Sequence, residues 1–135
     1  CNDDPVIAKQ LVNLGCQILM PLASPIGSGQ GIRNPKGLEL LRQRFPHTQL
    51  IIDAGIGTPS DANQVMEMGY DGVVLNSAIA MADHPVQMAK AFSLAIQSGR
   101  LAYAAKRMPI RDFAANSTPL TDTLFWHQES MNEES

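Results

Sequence analysis

Three stretches of the chain place small and polar residues directly after an apolar run: "SPIGSGQGIRNPKG" (24–37), "DAGIGTPS" (53–60) and "NSAIAMADHP" (76–85). The first holds four glycines in fourteen positions. Glycine has no β-carbon to hold a ligand away from the backbone. Loop and helix-start N–H groups lack intrahelical partners, so such a stretch suits an anion. The glycine-rich loop lacks the Gly-Lys-Ser/Thr ending of a nucleotide P-loop. Three such loops in series nevertheless point to a phosphate-bearing ligand. Asp53, closing "LIID", is placed to act as an acid/base or a hydrogen-bond acceptor; the alternative is a buried carboxylate bonded to neighbouring amides. Asn76 and Ser77 are either amide and hydroxyl donors to the phosphate or ordinary caps.

Other candidates carry less. His47 falls in a turn at the opposite end from the three loops, and His84 precedes Pro85 at a helix start, where capping is the expected role. Cys16 enters an apolar run and is expected to be inert core. Cys1 and Cys16 have no metal-type spacing, so neither a metal nor a cofactor is expected. The methionines fall on helix faces or in strands and are expected to pack.

The elements that must position these loops follow a repeating grammar. "DDPVIAKQLVNLG" opens with Asp3 or Asp4 as cap and Pro5 at the first helical position, carries Ile7, Leu11 and Leu14 on one face, and stops at Gly15. "CQILMPL" is a continuous apolar run, expected to be a strand covered on both faces. Asn34 and Pro35 start a helix with Leu38, Leu41 and Phe45 on one side. "QLIIDAG" is the next strand. Thr58 or Ser60 with Pro59 starts a helix bearing Ala62, Val65 and Met66, closed by Gly69. "DGVVLNS" is the third strand. A last helix is expected over about Pro85 to Gln97, with Met88, Phe92 and Ala95 aligned and Gly99 as its stop. Alternating strands and helices imply βαβ units and a parallel sheet. Such folds bind ligands at the carboxyl ends of their strands, where all three polar loops lie.

Composition sets the frame. The hydrophobic share is 44%, the charged share 17% and the net charge −3, the balance of a globular protein with a packed core. The acidic balance argues against nucleic acid, and no apolar run is long enough to span a membrane. The chain starts at Cys1 and enters a helix start at once, so it is expected to be part of something longer. "TDTLFWHQESMNEES" (121–135) is expected to belong to a mobile or partner-dependent tail.

"MPLASPIGSGQGI", "DAGIGTPSDA" and "GVVLNSAIAMADHPVQMAKAF", flanked by "CNDDPVIAKQL" and "GRLAYAAKRMP", resemble the thiazole synthases of bacterial and plastid thiamine biosynthesis. The resemblance runs over residues 1–119 and leaves 120–135 as a tail. It implies a (β/α)8 TIM barrel of which this chain is the C-terminal half, about strands 6–8. It implies an enzyme of the sulfur-incorporating transferase class. Its substrates would be 1-deoxy-D-xylulose 5-phosphate, dehydroglycine from a separate enzyme, and sulfur from a carrier protein's C-terminal thiocarboxylate. Homotetrameric assembly and a cytoplasmic or plastid-stromal location belong to the same implication. The family's sugar-phosphate contacts fall on Gly27, on Ala54 and Gly55, and on Asn76 and Ser77, and Asp53 matches its acid/base candidate.

Ala23 stands where glycine is expected, and Ser77 where threonine is common. The departure that matters is a lysine. The family forms a Schiff base from a strand-end lysine, a role suited to an amine whose pKa falls on burial. Lys9, Lys36, Lys90 and Lys106 all sit on helices or near the tail. Two rivals remain: another phosphate-binding barrel of the IMP dehydrogenase kind, which needs a strand-end cysteine, and a non-catalytic module from a truncated gene.

Overall fold

The computed structural model describes residues 3–112. Five helices and three strands alternate as α1 (Pro5–Asn13), β1 (Ile18–Leu19), α2 (Pro35–Arg44), β2 (Gln49–Ile52), α3 (Pro59–Glu67), β3 (Gly72–Val73), α4 (Ser77–Ala80) and α5 (Pro85–Ala105). The strands form one parallel sheet in the order β1-β2-β3. An α/β fold with a parallel sheet is therefore what the sequence pattern implied. The expected tail at 120–135 lies outside the described residues.

The helix starts are set by caps. Val6 N donates to Asp4 Oδ1 at 2.8 Å and Gly37 N to Asn34 Oδ1 at 3.0 Å, each cap followed by proline at the first helical position. Gly15 and Gly69, at φ +97° and +91°, take the left-handed conformation that ends α1 and α3. At the amino ends of the strands, Arg42 donates to the carbonyls of Phe45, Thr48 and Gly69 and to Asp71 Oδ2, which also accepts from Leu50 N at 2.9 Å. This fixes α2 against the turns entering β2 and β3, at the end away from the polar loops.

The helices bury one face of the sheet. Leu19, Leu50 and Ile52 lie beneath Leu38, Leu41, Ala62, Val65 and Phe92. Tyr70 is fully buried and donates to Leu38 O at 3.0 Å. The other face differs from expectation. Ile18, Met20 and Val74 remain 48%, 37% and 43% exposed, because strand alternation turns them away from the helices. Among the described residues, β1 is covered on one face, not both.

Four further expectations need correction. Cys16 is exposed, since it sits in the turn after α1, where its amide bonds Leu11 O, before the strand begins. Helix α1 has the expected period with its phase turned: Ala8 is buried, whereas Ile7 and Leu14 are 39% and 83% exposed. The short helix α4 was not foreseen. Gly99 does not stop the last helix, which runs on to Ala105. It is a packing site: a β-carbon there would stand 2.6 Å from Asn63 O and 2.7 Å from Met66 Cβ, so its absence lets α5 lie directly on α3. Asn63 Nδ2 donates to Ala95 O at 3.0 Å along the same contact.

Candidate functional site

All three polar loops emerge at the carboxyl end of the sheet, and hydrogen bonding carries the strand pairing into them. Asp53 N donates to Pro21 O at 3.0 Å, Ala23 N to Ala54 O at 3.0 Å and Val74 N to Ile52 O at 2.8 Å. Between the loops lies a cleft of about 90 Å³. Gly27, Asp53, Ala54, Gly55, Asn76 and Ser77 all line it, together with Ile26, Ile56 and Leu75 among others. Every residue nominated from the sequence is thus brought to one place. Larger grooves exist, one of about 520 Å³ beside Glu67, Tyr103 and Lys106, and none of the nominated residues lines that one.

The glycines divide by what they approach. A β-carbon on Gly57 would stand 2.1 Å from Gly29 O, one on Gly55 2.1 Å from Ser24 Oγ, and one on Gly31 2.7 Å from Asp61 Oδ1. Gly31 N donates to Gly55 O at 2.8 Å, and Ser24 Oγ donates to the same carbonyl at 3.0 Å. The close approach that the glycine-rich stretch serves is therefore mostly loop against loop. Gly27 is different. Its nearest neighbour across the space is Ser77 Oγ, 4.0 Å from where a β-carbon would be, and it makes no hydrogen bond among the described residues. Gly27 lines the cleft with open space beside it, as does Gly29, whose β-carbon would meet only Gly57 Cα at 3.8 Å.

Asp53 is half-buried, and its carboxylate accepts no hydrogen bond among the described residues. The alternative of a structural carboxylate tied to neighbouring amides is not what the structure shows there. Among the described residues no lysine or arginine lines the cleft, so an anion in it would rely on backbone amides and on the Asn76 and Ser77 side chains. Neither of those caps a helix through its side chain: Asn76 stands at the cap of α4 without such a bond, and Ser77 opens the helix. His84 likewise precedes α5 with no side-chain cap bond, and His47 is exposed in the turn before β2. Lys9, Lys36 and Lys90 lie exposed on α1, α2 and α5, with Lys36 paired to Glu39 at 3.1 Å, and Lys106 follows α5.

Two residues supporting the cleft were not nominated: Ser24, buried against Gly55, and Asp61, whose carboxylate accepts from Gly57 N and Thr58 N. An acidic residue at the third position of a proline-opened helix was the available signal for Asp61. Ser24 had none beyond its place beside the glycines.

Comparison with known proteins shows the family. Residues 1–119 match the family described as thiazole biosynthesis protein ThiG. The chain belongs to that family. The thiazole synthase of Ralstonia pickettii (strain 12J) is 55% identical over 129 residues, covering 96% of this chain and 47% of its own length. That of Rhodopseudomonas palustris (strain BisA53) is 54% identical over 130 residues, covering 96% and 50%. The chain spans about half the length of these ThiG relatives. Among solved structures, the Amycolatopsis orientalis BexX/CysO complex superposes with a TM-score of 0.76 at 33% identity, over 84% of this chain and 45% of that one.

Proposed function

We propose that the chain supplies the phosphate-binding side of a thiazole synthase acting in thiamine biosynthesis. The observation carrying this is the convergence of Gly27, Ala54, Gly55, Asn76 and Ser77 on one small cleft in a ThiG family member. In this assignment the cleft holds the phosphate of 1-deoxy-D-xylulose 5-phosphate, and Asp53, at the strand end beside it, moves protons on the sugar carbons. Dehydroglycine and a carrier-protein thiocarboxylate provide the nitrogen and sulfur. A solved relative crystallised with CysO supports a carrier-type partner.

The same proposal gives the sheet its larger frame, half of a (β/α)8 barrel about strands 6–8, over residues 1–119. A parallel sheet with helices on one face and half-exposed apolar residues on the other supports it. The Schiff-base lysine then comes from the remaining half of the relatives' length, since the described lysines lie on helices or after α5. The complete enzyme is proposed to be a homo-oligomer working in the cytoplasm. The IMP dehydrogenase-like rival is disfavoured by Cys16, which lies before β1, at the opposite end from the cleft.

Borohydride reduction with the sugar phosphate tests the assignment. The chain combined with the remaining half should form thiazole phosphate and trap a sugar adduct outside these residues. The chain alone should do neither. An adduct on Lys9, Lys36, Lys90 or Lys106 would overturn the division of labour.

A further inference from the structure

Outside the cleft, one carboxylate is bonded to the second of its three loops and faces the first. Asp61, in the first turn of α3, accepts on a single oxygen, Oδ2, from Gly57 N at 3.1 Å and Thr58 N at 3.0 Å. Its other oxygen faces the first loop, 2.7 Å from where a β-carbon on Gly31 would be. Gly31 in turn donates to the carbonyl of Gly55, which lines the cleft. An ordinary cap bonds only the amides of its own helix start. Asp61 does that, and its free-facing oxygen also stands against Gly31 of the first loop.

We propose that Asp61 is a positioning residue for the phosphate site: it holds the Gly55–Thr58 turn in shape and sets the glycine-rich loop in register against it. The proposal rests on the cleft being the sugar-phosphate site. Without the carboxylate, Gly57 N and Thr58 N lose their partner and the turn is free to rotate its amides away from the cleft. Because one oxygen takes both bonds, the oxygen of an asparagine side chain can serve nearly as well. Shape is what the residue supplies, more than charge.

The test uses the complete enzyme, with inorganic phosphate and the sugar phosphate as probes, and measures Kd, KM, kcat and Tm. Asp61→Ala should raise Kd for both probes, and KM, at least about tenfold while kcat at saturation stays within about threefold. Asp61→Asn should bring Kd back to within about threefold of the parent. Asp4→Ala, which removes the cap of α1, should lower Tm comparably and leave Kd unchanged. An Asp61→Ala enzyme with lowered Tm but unaltered Kd would overturn the proposal, as would an Asp61→Asn enzyme no better than Asp61→Ala. Should Asp61→Ala fail to fold, Asp61→Ser decides by the same Kd, its short hydroxyl being unable to hold both amides. Gly27→Val separates the two claims. If it leaves phosphate binding intact, the cleft assignment falls and the proposal with it; if it abolishes binding while Asp61→Ala does not, only the positioning role falls.

Discussion

Gly57 lies so close to Gly29 that a β-carbon on the former would stand 2.1 Å from the carbonyl oxygen of the latter. Backbone meets backbone there, and neither side has a flexible group to give way. Gly57→Ala should therefore force the first two loops apart, with a loss of stability of about 2 kcal/mol or more and a loss of phosphate binding. Gly27→Ala meets only Ser77 Oγ at 4.0 Å, so its cost is mainly that of a side chain at φ +72°, about 1–2 kcal/mol. Denaturant titration with phosphate binding distinguishes them: Gly57→Ala should fail in both, and Gly27→Ala chiefly in binding.

Tyr70 gives a pH signature. Burial pushes its phenol above the ordinary value of 10.0, the nearby Arg42 charge opposing and Asp3 adding to the rise. Above about pH 10 the unfolded chain loses this proton while the folded one keeps it, so stability falls as pH rises. Tyr70→Phe should cost about 1 kcal/mol at neutral pH, through its lost bond to Leu38 O, and should flatten the alkaline decline. Urea midpoints from pH 8 to 11 check this; parallel curves would contradict it.

The uncovered sheet face predicts association. Ile18, Met20 and Val74 are half-exposed, and covering what remains of each would contribute roughly half of the 1.5–3 kcal/mol of a fully buried side chain. The chain alone should self-associate in sedimentation velocity, and Ile18→Lys with Val74→Lys should reduce it. A monodisperse monomer that unfolds cooperatively would show that this face needs no partner.

How much of this was legible in the residues depended on what each residue had to do. Asp53, Asn76 and Ser77 were readable because strand–loop–helix grammar fixes which end of a strand a polar residue caps. Gly27 was nominated by resemblance, and its glycine neighbours by composition, yet composition did not separate a glycine facing a ligand from one facing another loop. That division needed the Gly29–Gly57 and Gly31–Asp61 contacts. Gly99 misled for the same reason: a glycine that ends a helix and one that admits a neighbouring helix look alike in one sequence. The phase of α1 was also missed, because Val6, Ile7 and Val12 left more than one apolar stripe for Ala8 to anchor.

Asp53 carries the chemical prediction. Asp53→Asn keeps the shape and removes the base, so in the complete enzyme sugar-phosphate affinity should stay within about threefold while kcat falls by roughly 10²–10⁴. Single-turnover kinetics should show imine formation intact and later steps slowed. Full activity in this variant would reduce Asp53 to a lining residue.

The most direct measurement is a crystal structure of the complete enzyme with 1-deoxy-D-xylulose 5-phosphate. The phosphate should sit in the cleft between Gly27, Gly55 and Ser77, with its oxygens about 2.7–3.2 Å from backbone amides of the second and third loops. A phosphate bound in the groove beside Glu67 and Lys106, or anywhere else away from these strand ends, would contradict the account.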